Sequence, residues 1–365
     1  MEPGTSQSRI ASRSTDRSRA PVIVLGSARS GTTLFYNMLL SSGGFAVYLA
    51  ESNVFNMLAP RFGNLKKRSN RERLLRVWLA SKLFRASGLD AAEIEREILE
   101  QCRNAGDFLR IVMEAITRQQ GMQRWAENSV EGNVHLPEIK RLIPNALIIH
   151  MIRDGRDVAM SLHNSRYVET FPWREHISLA GGGVYWEWVV ERACQYGRQL
   201  GNDYLEVHFE DVINSPRETL RTVGAFLDHE LDYDRIRQIG YGSVSKPNTL
   251  FSSELRGTFS PIGRWKKGFS ASELSRFESM IGPTLIEHGY PLASNTQPPP
   301  MNLEMKATRQ TYRAFFESKL RMKLNPLVCR LRPLTAARID RITQAEDHPP
   351  DLRTVDSPQS QGSSR

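Results

Sequence analysis

The stretch "VIVLGSARSGTTLFYNMLL", residues 22–40, decides the fold of this 365-residue chain. An apolar run ends at Gly26, small polar residues follow, and a helical pattern begins near Thr32. This order predicts a buried β-strand over 22–25, a glycine-bounded turn, and a helix over 32–41. Such a turn presents backbone N–H groups and the positive end of a helix dipole to one anion. The stretch therefore predicts an anion-binding loop.

The loop lacks the lysine of an ATP- or GTP-binding phosphate loop. In that motif a lysine follows the second glycine and reaches the terminal phosphates. Here Thr32 follows Gly31, and the nearest cation is Arg29. The hydroxyls of Ser30, Thr32 and Thr33 add hydrogen-bond donors. The alternative for any short glycine motif is an ordinary strand-to-helix turn in which glycine serves only tightness.

Two later stretches repeat the pattern of a strand followed by a helix. "ALIIHMI" (146–152) precedes a segment with helical spacing. "YLEVHF" (204–209) precedes a helical pattern in which Pro216 suits the first turn. Helical patterns also dominate residues 53–125. Strands that alternate with helices in this way predict an α/β fold, with a parallel sheet flanked by helices.

Composition restricts the class of protein. A hydrophobic content of 40% in 365 residues is enough for one large domain. The three cysteines, Cys102, Cys194 and Cys329, support neither a disulfide framework nor a zinc site. Residues 1–20 are polar and do not resemble a signal peptide, and no run approaches the roughly 20 apolar residues of a membrane span. We expect a soluble, cytoplasmic protein.

Most of the net charge of +9 lies near the C-terminus. Residues 301–343 carry ten Lys or Arg against three acids, so the preceding domain has little excess charge. A basic core for binding nucleic acid is not indicated, and we expect no nucleic-acid partner. The basic segment predicts one or two amphipathic helices. They either pack on the domain or make a peripheral contact with an anionic membrane surface.

"GSARSGTTL" (26–34) resembles the 5′-phosphosulfate loop of sulfotransferases that use 3′-phosphoadenosine 5′-phosphosulfate (PAPS). The pattern is most similar to bacterial, Golgi-type and tyrosylprotein sulfotransferases. The resemblance implies the nucleotide-kinase-like (P-loop) fold. It also implies that Arg29 neutralises the bridging oxygen and the sulfuryl group as the S–O bond breaks. Because the nucleotide ends in a sulfate, no lysine for a γ-phosphate is needed. The residues implied to bind this end of PAPS are Arg29, Ser30, Gly31, Thr32 and Thr33.

A second motif fits the other end of the same nucleotide. In "IIHMIRDGRDVAMSLHNS" (148–165) a strand ends at Arg153, and Ser161 lies about two helical turns further on. An arginine fork and a hydroxyl can bind one phosphate together, and in the family this pair binds the 3′-phosphate. We expect Arg29 and Arg153 at one sheet edge. The alternative is an arginine–aspartate network at the helix start, within 153–157.

"FSPIGRWKKGFSASELSRFESMIGPTLIEHGY" (259–290) resembles the last nucleotide-binding loop and helix of the family. Arg264 and Trp265 match the basic residue and tryptophan that close over the nucleotide there. The tryptophan ring either stacks on adenine or fills the core.

The resemblance, strongest at these motifs, divides the chain into four parts. The predicted parts are a disordered leader (1–20), a sulfotransferase domain (21–296), a basic helical extension (301–343) and a disordered tail (344–365).

The general base is expected in "LAESNVFN" (49–56). In Golgi-type and tyrosylprotein enzymes a glutamate at this point takes the acceptor proton, and Glu51 matches it. The alternative role for Glu51 is to satisfy a helix dipole. His135 is a rival base, because cytosolic small-molecule members use histidine, although its pattern favours a core or surface position. His163 is expected near the nucleotide.

One departure from the family pattern concerns catalysis. Related enzymes carry Glu-Lys-Thr-Pro or a close variant where this chain has "ENSV" (127–130), so Glu127 is kept and Asn128 replaces a lysine. An amide donates a hydrogen bond but brings no charge to the sulfuryl group. The loss of such a charge can cost several kcal/mol of barrier.

Three functions are therefore open. The favoured one is transfer of a sulfuryl group from PAPS to a hydroxyl or amine of a small molecule, lipid, sugar or peptide, without a metal. A non-catalytic nucleotide-binding adaptor and an ATP-dependent kinase on the same fold are the alternatives. Helices within 53–125 and the loop 163–186 are expected to wall the acceptor pocket. In that loop Tyr167, Phe171, Trp173 and the glycines 181–183 suggest a flexible aromatic lid.

Overall fold

The computed structural model describes residues 16–129, 132–165, 168, 170–240, 260–293, 298, 300–331 and 333–343. Within these residues four strands form one sheet in the order β2–β1–β3–β4. All three pairings are parallel. The strands are β1 (Val22–Gly26), β2 (Ala126–Ser129), β3 (Leu147–Ile152) and β4 (Tyr204–His208). The prediction of an α/β fold with a parallel sheet is confirmed, and so are the three predicted strands.

Helices cover both faces of this sheet and continue beyond it. They are α1 (Thr32–Ser41), α2 (Ala59–Phe62), α3 (Arg68–Leu79), α4 (Lys82–Ser87), α5 (Ala91–Gln101), α6 (Ala105–Gln119), α7 (Gly132–Leu142), α8 (Gly155–His163), α9 (Leu179–Gly197), α10 (Phe209–Asn214), α11 (Pro216–Leu227), α12 (Tyr233–Ile239), α13 (Trp265–Gly268), α14 (Ala271–Glu287), α15 (Leu303–Leu324), α16 (Pro326–Leu331) and α17 (Ala336–Ile342). A π-helical turn, Val54–Leu58, precedes α2. The helix predicted over 32–41 is confirmed as α1.

Both faces of β1 are buried, as expected for the centre of a parallel sheet. Val22 and Val24 pack with α1 and α11 on one face, whereas Ile23 and Leu25 join the core formed with α3 to α6. Because side chains alternate along a strand, this apolar run serves both cores at once.

The register of the strands places the loops that carry the predicted site residues at one edge of the sheet. Gly26 of β1 pairs with Met151 of β3, and Ile152 of β3 pairs with His208 of β4. The glycine loop, Arg153 and the start of α10 therefore all follow the carboxyl ends of parallel strands. Ligands of open α/β sheets bind at this edge.

β2 was not predicted from the sequence, and β4 ends one residue earlier than predicted. "AENS" carries three polar side chains and no β-branched residue, so its pattern does not indicate a strand. Phe209 begins α10 instead of ending β4. Its ring lies 2.3 Å from where a Cβ on Gly31 would stand. Only glycine fits there, because φ is also +85°.

The basic C-terminal helices pack on the domain. On α15, Arg309 and Arg313 form ion pairs with the buried carboxylate of Glu187 on α9, at 2.9 and 3.2 Å. On α17, Asp340 accepts a hydrogen bond from the Lys82 backbone N–H at 2.7 Å, and Ile339 is fully buried. The segment 301–343 thus forms part of the domain surface.

The predicted leader and tail lie at the two ends of the chain. Residues 16–20, counted in the predicted leader, contain a 3₁₀ turn from which the Arg17 guanidinium donates to the Phe226 carbonyl at 2.7 Å. Residues 1–15 and the predicted tail, 344–365, lie outside the described residues. None of the described helices combines the length and apolar character needed to cross a membrane.

Candidate active site

The glycine loop has the form of an anion site. Arg29 and Gly31 have positive φ values, 72° and 85°, which turn the chain sharply between β1 and α1. No side chain caps the N-terminus of α1, so its first backbone N–H groups face the loop. The Ser30 hydroxyl is buried and finds no hydrogen-bond partner within the described part of the chain. A bound anion would satisfy these donors.

Arg29 and the predicted 3′-phosphate residues lie together. The Arg29 Nε donates to Ser161 Oγ at 2.9 Å, and Arg153 Nη1 donates to the Arg29 carbonyl at 2.9 Å. The Arg153 guanidinium also lies over the ring of Phe209, 4.5 Å from its centroid. The expected sharing of one sheet edge by the two arginines is confirmed. The two motifs therefore contact each other directly.

The charge of a third guanidinium, that of Arg264, acts on Arg153. Burial lowers the pKa of Arg153, Asp157 and Glu210 oppose that shift, and the nearby charges of Arg264 and Arg29 add to it. Like charges brought together in a partly buried place are unfavourable unless an anion compensates them. The convergence therefore favours an anionic ligand with more than one charge.

The loop that carries Trp265 is fastened to the start of α8. Asp157 accepts the backbone N–H of Gly263 at 2.7 Å and that of Trp265 at 2.9 Å. The Trp265 ring is buried, and the Arg156 guanidinium lies 3.8 Å from its centroid. Since Arg156 covers one ring face, that face is closed to adenine. Part of the arginine–aspartate network considered as an alternative for 153–157 is thus present, around Arg156.

Glu51 lies beside the glycine loop. Asn128 Nδ2 lies 3.4 Å from Glu51 Oε1 and 3.4 Å from Thr33 Oγ1. The Asn128 amide therefore bridges the predicted base and the helix that begins at the loop. A lysine at this position would bring its charge to the same place, so the departure from the family pattern falls inside the site.

Glu127 has a positioning role that the sequence analysis did not assign. Its Oε1 accepts the Ser52 backbone N–H at 3.1 Å and the Ser52 hydroxyl at 2.6 Å. This contact fixes the residue that follows Glu51. Burial, together with the Glu51 charge, raises the pKa of Glu127 to about 8, although the Ser52 hydrogen bonds lower it in part.

This raised pKa predicts a pH-dependent stability. Between the ordinary carboxyl pKa and about 8, the folded protein holds a proton on Glu127 that the unfolded chain has lost. The free energy of unfolding therefore falls as pH rises through that range. We expect the Glu127→Gln variant to lose less stability between pH 5 and pH 8, by on the order of 2 kcal/mol. Urea denaturation at both pH values measures this.

The control for this test is Glu95→Gln, at an exposed position on α5. It should follow the wild-type pH dependence. Parallel curves for wild type and Glu127→Gln would show that the Glu127 carboxyl does not titrate as described.

The two histidines considered near the site have other surroundings. His135 on α7 is buried, and burial lowers its pKa to about 4, with a further contribution from the Lys323 charge. Among the described residues that line the cavity beside Glu51, His135 is absent. The His163 ring meets the Ile177 carbonyl at 2.7 Å through Nδ1. The geometry gives neither histidine a place beside Glu51.

A cavity of about 750 Å³ opens beside Arg29 and Glu51. Residues of the π-helical turn and α2 form part of its wall, together with Ser165 and Val168 from the stretch predicted to do so. Residues of α7 and α9 also contribute, and the rest of the wall, which was not anticipated, comes from α15 to α17 and the turns between them. The basic C-terminal segment therefore lines the candidate acceptor pocket.

The prediction of a flexible lid over 163–186 is wrong at its glycines. Gly181, Gly182 and Gly183 lie in the first turns of α9. A Cβ on Gly183 would lie 2.4 Å from the Phe277 ring, so these glycines permit close helix packing. Phe171 stacks on Trp173 with ring centroids 5.1 Å apart. Tyr167 lies outside the described residues.

One group of possible metal ligands occurs in the described part of the chain: His150, Cys194 and Glu206, with donor atoms within 4.8 Å of one another. Tyr204 Oη lies 2.6 Å from His150 Nδ1 and 3.2 Å from Glu206 Oε1. Hydrogen bonding thus accounts for the cluster. Independence from metals stays a prediction.

With this geometry in place, comparison with known proteins decides the family. The model of the "Sulfotransferase family" matches residues 21–233, more than half of the chain. This chain belongs to the sulfotransferase family. The matched range includes the glycine loop, Glu51, Asn128 and the pair Arg153–Ser161, and it ends before Arg264.

Individual sulfotransferases show limited identity. Mouse Sulfotransferase 1B1 is 21% identical over 155 residues, which cover 36% of this chain and 52% of that protein. A Caenorhabditis elegans protein named "Putative protein-tyrosine sulfotransferase" is 26% identical over 161 residues, covering 42% and 61%. The chain thus spans between half and two thirds of the length of these relatives.

Solved sulfotransferase structures resemble the chain distantly. The sulfotransferase domain of the Synechococcus PCC 7002 olefin synthase superposes with a TM-score of 0.46 at 18% identity, covering 80% of this chain and 94% of that one. Sulfotransferase STF9 from Mycobacterium avium gives 0.44 at 13% identity, covering 75% and 78%.

Proposed function

We propose that this protein transfers a sulfuryl group from PAPS to a hydroxyl or amine acceptor, with Glu51 as the general base. One observation carries the proposal. The anion-binding loop, the guanidinium groups of Arg29 and Arg153, and the carboxylate of Glu51 meet at one sheet edge, where Arg29 and Glu51 line the same cavity. We also propose a cytoplasmic location, since all three cysteines are free and buried and need no oxidising compartment.

The residues at this edge fit a nucleotide with phosphate groups at both ends. The uncapped N-terminus of α1 and the unpartnered Ser30 hydroxyl would hold the 5′-phosphosulfate. Arg153 and Ser161 would hold the 3′-phosphate, and the Arg264 charge acts on Arg153 from nearby. PAPS supplies the activated sulfuryl group. The chain supplies positive charge and position, which dominate catalysis when the transferred group needs little covalent help.

On the side of the site where the acceptor substrate would bind, the chain provides a general base and residues that position it. Glu51 would take the proton from the acceptor oxygen or nitrogen as that atom attacks sulfur. The Asn128 amide touches the Glu51 carboxylate, and Glu127 fixes the adjoining backbone at Ser52. Arg29 would stabilise charge that develops on the bridging oxygen.

The two alternative functions have specific weaknesses. A kinase of this fold needs the loop lysine and a magnesium-binding acid after a strand, whereas here Thr32 and Arg153 stand in those places. An adaptor without catalysis is favoured only by Asn128, which lacks the family's charge. Calorimetry with 3′,5′-ADP and with magnesium ATP, followed by a desulfation assay in EDTA, separates all three. Binding of magnesium ATP alone would indicate a kinase, and binding without turnover an adaptor.

The role of Ser161 gives a sharper test of the donor site. We expect wild type to bind 3′,5′-ADP more tightly than 5′-AMP. In Ser161→Ala the affinity for 3′,5′-ADP should fall about 10- to 100-fold, because a hydrogen bond to a charged phosphate is lost. The affinity for 5′-AMP should change little. Calorimetry measures both ligands on both proteins.

Ser165→Ala is the matched control, since Ser165 lies just beyond α8 and its hydroxyl donates to the Leu162 carbonyl. It should keep the wild-type preference. An equal loss of affinity for both nucleotides in Ser161→Ala would contradict the assignment of Ser161 to the 3′-phosphate.

A further inference from the structure

The cavity beside Glu51 is large and mostly apolar. Its volume of about 750 Å³ lies in the range of pockets that enclose a complete organic ligand. Aromatic and aliphatic side chains dominate the wall. They include Tyr185, Trp188, Phe315, Phe316 and Leu320. A ligand that fills it must present an extended apolar surface.

The charges on the cavity wall are strongly unbalanced. Among the described residues that line it, six are basic and one, Glu51, is acidic. The basic residues are Arg29, Arg61, Lys319, Lys323, Arg338 and Arg341. Four of the six come from α15 and α17. An apolar wall with a basic lining fits an amphiphile that carries a negative charge.

Two exposed apolar side chains lie at the mouth of this cavity, and three more belong to α15 and α16, helices that also line it. Met322 and Ile342 line the cavity and are also 49% and 53% exposed, so they lie at its rim. Leu324, Leu327 and Leu331 follow in the chain and are 42%, 70% and 82% exposed. We call Met322, Leu324, Leu327, Leu331 and Ile342 the apolar collar. These five are most of the large apolar side chains exposed in the described residues.

The sequence that carries the collar is also strongly basic. Between residues 319 and 343 the sequence has seven Lys or Arg and one acid, Asp340. That acid is already engaged by the Lys82 backbone N–H and lies 3.6 Å from the Arg85 guanidinium. Exposed apolar side chains interleaved with cations are typical of surfaces that lie on anionic membranes. An apolar surface that binds another protein does not by itself require this excess of positive charge.

We propose that the apolar collar docks on an anionic bilayer and that the cavity takes its acceptor from it, a hydroxyl-bearing lipid with a negatively charged headgroup. This rests on the proposed function, since the acceptor hydroxyl must reach Glu51. The headgroup charge would lie against the basic lining and the lipid chains against the aromatic wall. The acceptor oxygen bonds to sulfur as the bond from sulfur to the PAPS bridging oxygen breaks. The proton passes to Glu51, and the electron pair stays on the 5′-phosphate.

Donor exchange is compatible with this docking. Of the predicted nucleotide residues in the described chain, Arg29 lines the cavity, whereas Arg153, Ser161 and Arg264 do not. Most of the predicted nucleotide-binding residues therefore lie outside the cavity wall. PAPS need not pass through the mouth that faces the membrane.

The decisive experiment is vesicle sedimentation of the full chain. Vesicles of phosphatidylcholine with 30% phosphatidylglycerol, about a third anionic lipid as a probe, should bind the protein at least about 10-fold more tightly than pure phosphatidylcholine. The double substitution Leu327→Asp, Leu331→Asp should abolish the difference. The matched control is Leu303→Asp, because Leu303 is 84% exposed at the opposite end of α15, about 30 Å away along the helix axis. It should bind like wild type.

The outcomes are distinct. Equal binding to both vesicles, or an unchanged double variant, overturns the docking. Self-association that the double variant abolishes would assign the collar to a second copy of the chain and also overturn it. Transfer of radiolabelled sulfate to bilayer phosphatidylglycerol, compared with its water-soluble glycerophosphoglycerol headgroup, tests the acceptor class, and preference for the free headgroup overturns it. Loss of 3′,5′-ADP binding would instead refute the proposed function, while vesicle binding by the collar would stand.

Discussion

Replacing Arg29 with alanine is expected to lower kcat/KM for sulfuryl transfer by about 10²- to 10³-fold, the effect of losing one electrostatic stabiliser of a transition state. Arg29 is the cation of the glycine loop, and its guanidinium reaches Ser161 while its carbonyl receives Arg153. Alanine keeps the carbonyl and removes the charge. The φ of +72° costs about the same for either residue, since both carry a Cβ. Steady-state kinetics with PAPS and a sulfated product assay measure the loss.

Two further variants make this result specific. Arg29→Lys keeps the charge but loses the Nε hydrogen bond to Ser161, so its activity should lie between wild type and alanine. Arg221→Ala, at an exposed position on α11, should behave as wild type. Activity of Arg29→Ala within twofold of wild type would remove Arg29 from the catalytic step.

Replacing Glu51 with glutamine should lower kcat by about 10²- to 10⁴-fold, the range of general-base catalysis. The amide preserves the size of the side chain and can remain beside Asn128, so the affinity for 3′,5′-ADP should stay within about twofold. Loss of the base should also flatten the rise of kcat with pH that deprotonation of a carboxylate gives. A pH profile and calorimetry together separate this result from a change in folding.

The control for this substitution is Glu100→Gln, at an exposed position on α5. Full activity of the Glu51→Gln protein, with an unchanged pH profile, would refute Glu51 as the base. Loss of nucleotide binding in the same protein would show instead that Glu51 supports the donor site.

The strand–loop–helix centre could be predicted because local signals agree there. Four apolar residues, a glycine-bounded turn and a helical pattern all lie within 22–40, and the structure follows them closely. The meeting of Arg29 with Arg153 was also predictable. Parallel strands end at one edge, and residues that follow two neighbouring strands come together there.

Contacts that depend on distant parts of the chain could not be predicted in the same way. β2 is held by pairing with β1 and not by its own polar sequence. The role of Glu127 depends on Ser52, 75 residues earlier. The glycines 181–183 are typical of a loop by composition, yet α8 and α14 pack closely against them. Glycine is needed there because of a neighbouring helix that is distant in the sequence.

The cavity wall comes from two separate parts of the chain. The residues that meet the nucleotide loop come mainly from 21–233, the range matched by the family, whereas the roof of the cavity comes from α15 to α17, far downstream. The roof is tethered to the rest by Arg309 and Arg313 through the buried Glu187. We therefore expect substitutions in α15 to α17 that keep these ion pairs to change the choice of acceptor and to leave nucleotide binding unaltered.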